Sequence, residues 1–127
     1  MAVLIELKTI TDPRGSLTVI ENVLPFVMQR VFFIYDVSAA RGGHGHRRTQ
    51  IALVCVSGSC RVLVQSVEKN FEFFLDAPSK CLILQQPIGI QWTNFLSSLP
   101  WLHSLQKITT KMTISSSLTD DRIRKSL

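Results

Sequence analysis

Thr49-Gln50-Ile51-Ala52-Leu53-Val54-Cys55-Val56-Ser57-Gly58-Ser59-Cys60-Arg61-Val62-Leu63-Val64-Gln65-Ser66-Val67 is two apolar, β-branched runs held apart by Ser-Gly-Ser. Such runs suit a pleated, half-buried surface, and the central glycine suits a tight reversal between two strands. Working outward, Phe71–Leu75 and Lys80–Leu84 repeat the arrangement around Asp76-Ala77-Pro78. Upstream, Gln29–Val37 is rich in Val, Phe, Ile and Tyr, Ser16–Glu21 follows the turn signal Asp12-Pro13-Arg14-Gly15, and Ala2–Leu7 is apolar. No stretch of useful length carries a helical period. Short strands at regular turn spacing predict an all-β sandwich or barrel.

The chain has 127 residues, enough for one domain with one sizeable core. With 46% apolar and 18% charged residues it reads as globular rather than disordered. The longest apolar run, Ile51–Val56, is far too short to cross a bilayer, and Met1–Leu7 carries Glu6 and no basic segment, so neither a membrane span nor a secretory signal is expected. Cys55, Cys60 and Cys81 are odd in number and lack metal-ligand spacing. They are expected to be reduced, mostly buried thiols of a cytoplasmic protein. The net charge of +5 is uneven, +2 over residues 1–84 and +3 over residues 85–127. No basic run is interleaved with aromatics, so no nucleic-acid partner is expected. A few arginines suit a phosphorylated substrate instead.

Arg41-Gly42-Gly43-His44-Gly45-His46 is the segment richest in chemistry. On a strand, residues two apart share a face, so His44 and His46 are expected to project together, and inside a barrel that face can line the interior. The bland alternative is a pair of exposed histidines on a Gly-rich turn. Gln50 follows four residues after His46, and Gly58 eight residues later. This order resembles the first cupin motif, a His-x-His followed by an acid and then a glycine. At the acid position stands Gln50, a neutral and poorer ligand, and Leu82–Gln91 holds no histidine to complete a metal set.

The flanking sequence resembles the dTDP-sugar 3,4-ketoisomerases of the WxcM-like cupin family. The stretches that carry the resemblance are Asp12-Pro13-Arg14-Gly15-Ser16-Leu17, Ile20-Glu21, Pro25-Phe26, Arg30-Val31-Phe32-Phe33-Ile34-Tyr35-Asp36, Arg41 to His46, Val54 to Cys60, and Leu75-Asp76-Ala77-Pro78. Together they cover about residues 4–84. Phe32 and Phe33 stand where the family usually has tyrosines. The resemblance implies an RmlC-like jelly-roll barrel and a homodimer in deoxysugar biosynthesis, of the kind that feeds lipopolysaccharide or S-layer glycans. It implies a dTDP-linked 4-keto-6-deoxy sugar as substrate, and neither metal nor organic cofactor. By the same resemblance, His44 and His46 are the acid–base pair, Arg41 binds the pyrophosphate or the developing oxyanion, and Tyr35 and Arg14 are lesser substrate contacts. For Tyr35 a core or interface role is slightly favoured, and for Arg14 a solvated turn is an equal alternative. Two rivals remain open: a non-catalytic sugar-nucleotide-binding module, and a metal-dependent cupin oxygenase or epimerase.

At Gln85 the character changes. Residues 85–127 hold 12 Ser and Thr against 10 in residues 1–84, and the alternation fades, which divides the chain into a barrel core at 1–84 and a divergent tail at 85–127. Asp120–Leu127 is expected to fray or form a short helix. The family continues after this point with Trp-His, Met-x-x-Phe and an ending close to Tyr-Asp-Glu-x-Asp-Tyr-Ile, none of which this tail contains. Joining the last base of each codon to the first two of the next changes that. Ile88-Gly89 can then give Trp, Gly89-Ile90 His or Tyr, Gln91-Trp92 must give Met or Val, and Asn94-Phe95 gives Phe or Leu. Further on, Gln106 to Ile114 can give Lys-Asn-Tyr-Asp-Glu-Asn-Asp-Tyr, with Asp forced at Met112-Thr113. Two separated stretches recover the family pattern in one frame, so the tail is expected to be an out-of-frame reading that begins near Leu84.

Overall fold

The computed structural model describes residues 1–36, 39, 41–46, 50–66, 68–85, 88–94 and 111–116. Among them every regular element is a strand: β1 (Ala2–Glu6), β2 (Lys8–Asp12), β3 (Gly15–Val19), β4 (Arg30–Ile34), β5 (Arg41–His46), β6 (Ile51–Ser57), β7 (Cys60–Gln65), β8 (Asn70–Leu75), β9 (Lys80–Leu84), β10 (Ile88–Asn94) and β11 (Lys111–Ser116). The expected all-β architecture takes the form of a five-stranded sheet in the order β1-β9-β6-β11-β4, a four-stranded sheet β5-β10-β7-β8, and the separate hairpin β2-β3.

Local chemistry explains the turns. At the β2–β3 hairpin, Pro13 presets the backbone of the turn, and Gly15 takes φ +139°, a conformation that L side chains rarely adopt. The Asp12 carboxylate accepts the backbone N–H of Arg14 at 2.8 Å. Facing hydroxyls lock the register: Thr9 with Thr18 at 2.9 Å and Thr11 with Ser16 at 2.8 Å. The turn signal at residues 12–15 thus closes two strands, where the sequence pattern suggests one strand after it. Between β6 and β7, Gly58 adopts φ +76°, as the tight reversal requires. Asp36, at φ 54°, follows the end of β4 in the left-handed region that Asp tolerates.

Packing explains the apolar pattern. β7 alternates, because one face is covered and the other meets solvent: Cys60, Val62 and Val64 are buried, while Arg61 pairs with Glu72 on the outside. β6 does not alternate, since Ile51 through Cys55 are all buried. One face, with Ile51, Leu53 and Cys55, packs between the sheets against Val62, Val64, Leu75, Leu82 and Leu84. The other, with Ala52 and Val54, joins Cys81 and Ile83 beneath Leu7, Ile20, Leu24 and Phe26. Each large aliphatic side chain fully buried in this way contributes about 1.5–3 kcal/mol. All three cysteines are free and buried.

Although the alternation of the tail is faint, β10 inserts between β5 and β7, and β11 inserts between β6 and β4. The charged end at residues 120–127 lies outside the described residues.

Candidate active site

β5 carries the glycine–histidine segment, and its backbone pairing defines the site. Against β10 the register runs His46↔Ile88, Gly45↔Gly89 and His44↔Ile90, then shifts to Gly42↔Gln91 and Arg41↔Trp92. Gly43 has no partner in this ladder, so β5 contains a one-residue bulge. Cross-strand partners share a face. Ile88, Ile90 and Trp92 are alternate positions of β10, so Arg41, His44 and His46 belong to one face of the sheet. Strict alternation would set Arg41, three residues before His44, on the opposite face.

The next strand identifies that face. Ile90 is opposite Val64 and Trp92 opposite Val62. Both valines are buried in the core between the two sheets. The register rows Val64–Ile90–His44 and Val62–Trp92–Arg41 therefore extend the interior face of the four-stranded sheet onto its edge strand β5. This segment is a strand, rather than the Gly-rich turn of the bland alternative.

The other sequence-derived candidates lie apart from these rows. Tyr35 follows β4, where Ile34 packs into the inter-sheet core and Phe32 lies partly buried against it. Tyr35 alternates with them onto the outer side, 62% exposed, beside Phe33 and Val31. Arg14 sits at the hairpin tip with its side chain 90% exposed, and its guanidinium meets Asp12 at 2.6 Å. That hydrogen bond is the main reason the Asp12 carboxyl titrates below its usual range. Within one chain, neither residue joins the histidine strand.

Gln50 immediately precedes β6, and its buried Oε1 has no hydrogen-bond partner among the described residues. The adjacent Ile51 is the residue packed into the inter-sheet core. Gln50 offers a neutral amide oxygen rather than a carboxylate, which makes it a poorer metal ligand. A groove of about 600 Å³ lies on the other side of the large sheet, lined by Thr9, Thr18, Ile20, Val54 and Val56. Val54 belongs to the outward-facing apolar cluster, so this groove is not the histidine site.

A curated TDP-4-oxo-6-deoxy-alpha-D-glucose-3,4-oxoisomerase of Aneurinibacillus thermoaerophilus is 36% identical over 97 residues, 73% of this chain and 70% of that protein. The QdtA 3,4-ketoisomerase of Thermoanaerobacterium thermosaccharolyticum, solved as a double mutant with TDP, superimposes with a TM-score of 0.79 at 26% identity, covering 96% of this chain and 83% of that one. The WlaRB TDP-quinovose 3,4-ketoisomerase of Campylobacter jejuni gives a TM-score of 0.78 at 26% identity, covering 94% and 87%. These neighbours make the barrel an RmlC-like cupin. The family match starts at Ala2 and reaches Leu99, taking in β10 as well as residues 4–84. With that match over residues 2–99, the chain belongs to the FdtA family (WxcM-like, C-terminal).

Proposed function

We propose that this protein is a sugar-nucleotide 3,4-ketoisomerase acting on a dTDP-4-keto-6-deoxyhexose. The observation that carries the reading is the shared face of Arg41, His44 and His46 on β5 in a chain of this family. The ketone at C4 acidifies the C3–H bond. One histidine takes that proton, the C3–H electrons form the C3=C4 double bond, and the C4 carbonyl becomes an enediolate oxygen. The O3–H proton then passes to the O4 oxyanion, the O3–H electrons form the new carbonyl at C3, and the C3=C4 electrons take the proton back from the histidine at C4. A histidine that titrates near neutrality suits both transfers. Arg41 binds the pyrophosphate or the oxyanion through charge-assisted hydrogen bonds. Tyr35 and Arg14 are secondary contacts that require a neighbouring copy or substrate-bound rearrangement to reach the site.

The protein acts in the cytoplasm as a homodimer. The support for a dimer is the exposed apolar face of edge strand β4, with Val31, Phe33 and Tyr35, together with the open edges of the β2–β3 hairpin bearing exposed Ile10 and Leu17. Sedimentation at micromolar protein tests this, and a monomer would refute it.

The tail is an out-of-frame reading, and as translated it impairs catalysis. The coding DNA from Leu84 onward, read in all frames, tests the first statement. A shifted frame without Trp-His and the Tyr-Asp-Glu ending would refute it. For the chemistry, the substrate is incubated with enzyme in D2O and followed by NMR. Appearance of the 3-keto sugar with deuterium at C4 is expected of the chain with its frame restored, and an inert substrate there overturns the isomerase reading. TDP binding without exchange would instead favour a binding module.

A further inference from the structure

The geometry points to Gly43 as a positioning residue: its bulge is the device that sets Arg41 on the same interior face as His44 and His46. This inference rests on the proposed function, because it takes Arg41 to be the group that meets the substrate's phosphates.

The register supplies the argument. From Ile88 to Ile90, each step along β10 is matched by one step along β5. Between Ile90 and Gln91 the partner jumps from His44 to Gly42. One residue of β5 has been absorbed, and every position upstream of it changes face. Without the bulge, Gly42 would stand opposite Trp92, and Arg41 opposite Thr93. Thr93 is the partner of Arg61. Arg61 lies on the outer side of β7, already paired with Glu72. A regular strand would thus set Arg41 on the solvent side beside another arginine, while the histidines stayed on the interior face. With the bulge, Arg41 falls on the row of Trp92 and Val62, adjoining the row of Ile90 and His44. A cation and two proton carriers then share one side of one strand. Glycine suits this point because a bulge demands backbone freedom that a branched side chain would restrict.

The experiment measures TDP binding to the full chain by calorimetry, with circular dichroism as the folding check. Arg41→Ala defines the loss of the cation, expected at about ten- to a hundredfold in Kd for a charge-assisted phosphate contact. Gly43→Val, whose branched side chain disfavours the bulge and favours the regular register, is expected to weaken TDP as much as Arg41→Ala does. Adding Gly42→Arg to Gly43→Val places an arginine in the row opposite Trp92, and should recover most of the affinity. A second variant leaves chain length and bulge untouched: the exchange Arg41→Gly with Gly42→Arg moves the arginine to the row of Gln91, and should bind TDP as poorly as Arg41→Ala. If the exchange variant binds like the unaltered chain, the register argument fails while the isomerase reading stands. If the unaltered chain binds no TDP, the nucleotide reading fails first, and the role of Arg41 falls with it.

Discussion

Raising the pH from 8 to 10 should cost this protein about 3 kcal/mol of stability through two thiols. Burial pushes Cys60 up to about 12, with the neighbouring Cys55 as a smaller cause, and burial alone pushes Cys81 to about 11. In the unfolded chain both titrate near 9. A group whose folded pKa lies above its unfolded value contributes its stability fully below the unfolded pKa and loses it as pH rises toward the folded one. The window is therefore pH 9 to about 12. At pH 10 the unfolded thiols are about nine-tenths ionised while the folded ones stay protonated, so each contributes about 1.4 kcal/mol less than at pH 8. Cys55, also raised mainly by burial, shifts stability the same way. With a urea slope of about 2 kcal/mol/M, the midpoint should fall by about 1.5 M between the two pH values. The assay is urea unfolding followed by tryptophan fluorescence under a reductant, at pH 8 and pH 10. Cys60→Ala/Cys81→Ala will be less stable at pH 8, but its midpoint should fall far less on going to pH 10. An equal fall in both proteins would refute the assignment of the alkaline loss to these thiols.

His44→Asn or His46→Asn should lower the isomerisation rate by about 10²- to 10⁴-fold while leaving TDP affinity within a few-fold, measured by NMR turnover and calorimetry on the frame-restored chain. Leu53→Ala, at a fully buried position between the sheets, should destabilise by about 2–5 kcal/mol. Val56→Ala, at an exposed position of the same strand, should cost under about 1 kcal/mol in the same urea titration. Gly15→Ala should cost about 1–3 kcal/mol from backbone conformation alone, since no atom lies within 4 Å of the added methyl.

Much of the barrel was legible because its core runs on simple periods. β7 alternates buried and exposed, and Gly58 and the residues flanking Pro13 are turn chemistry with a mechanism. β6 reads as a continuous apolar run because the N-terminal segment covers its outer face, a tertiary fact that no local window contains. The shared face of His44 and His46 followed from period two. The position of Arg41 did not, because one unpaired glycine reverses the parity of everything before it, and Gly42-Gly43 gives no sign of which glycine is the extra one. Strands β10 and β11 were missed for a different reason. Gly89, Gln91 and Asn94 dilute the alternation of Ile88, Ile90 and Trp92 in β10, β11 is mostly polar, and both are paired on each side by the strands that flank them.

That pairing bears on the tail. β10 and β11 are internal strands, so the tail supplies two of the ladders that join β5 and β4 to the rest of their sheets. Backbone pairing is indifferent to reading frame, but the rows are not. Trp92 stands beside Arg41, and Ile114 lies between Leu53 and Phe32. In the shifted frame, the pairs at these positions encode different residues, among them a forced Asp from Met112-Thr113. A chain that kept the strands but exchanged their rows would hold its topology while losing complementarity with the two core clusters and with the histidine strand. Restoring the frame after Leu84 should therefore raise the unfolding midpoint and the isomerase rate together, since one set of side chains serves both. Thermal unfolding and NMR turnover of the two chains test this directly. A restored chain that is neither more stable nor more active would mean that the present tail already fits its rows, and that residues 85–127 are this protein's own closing strands.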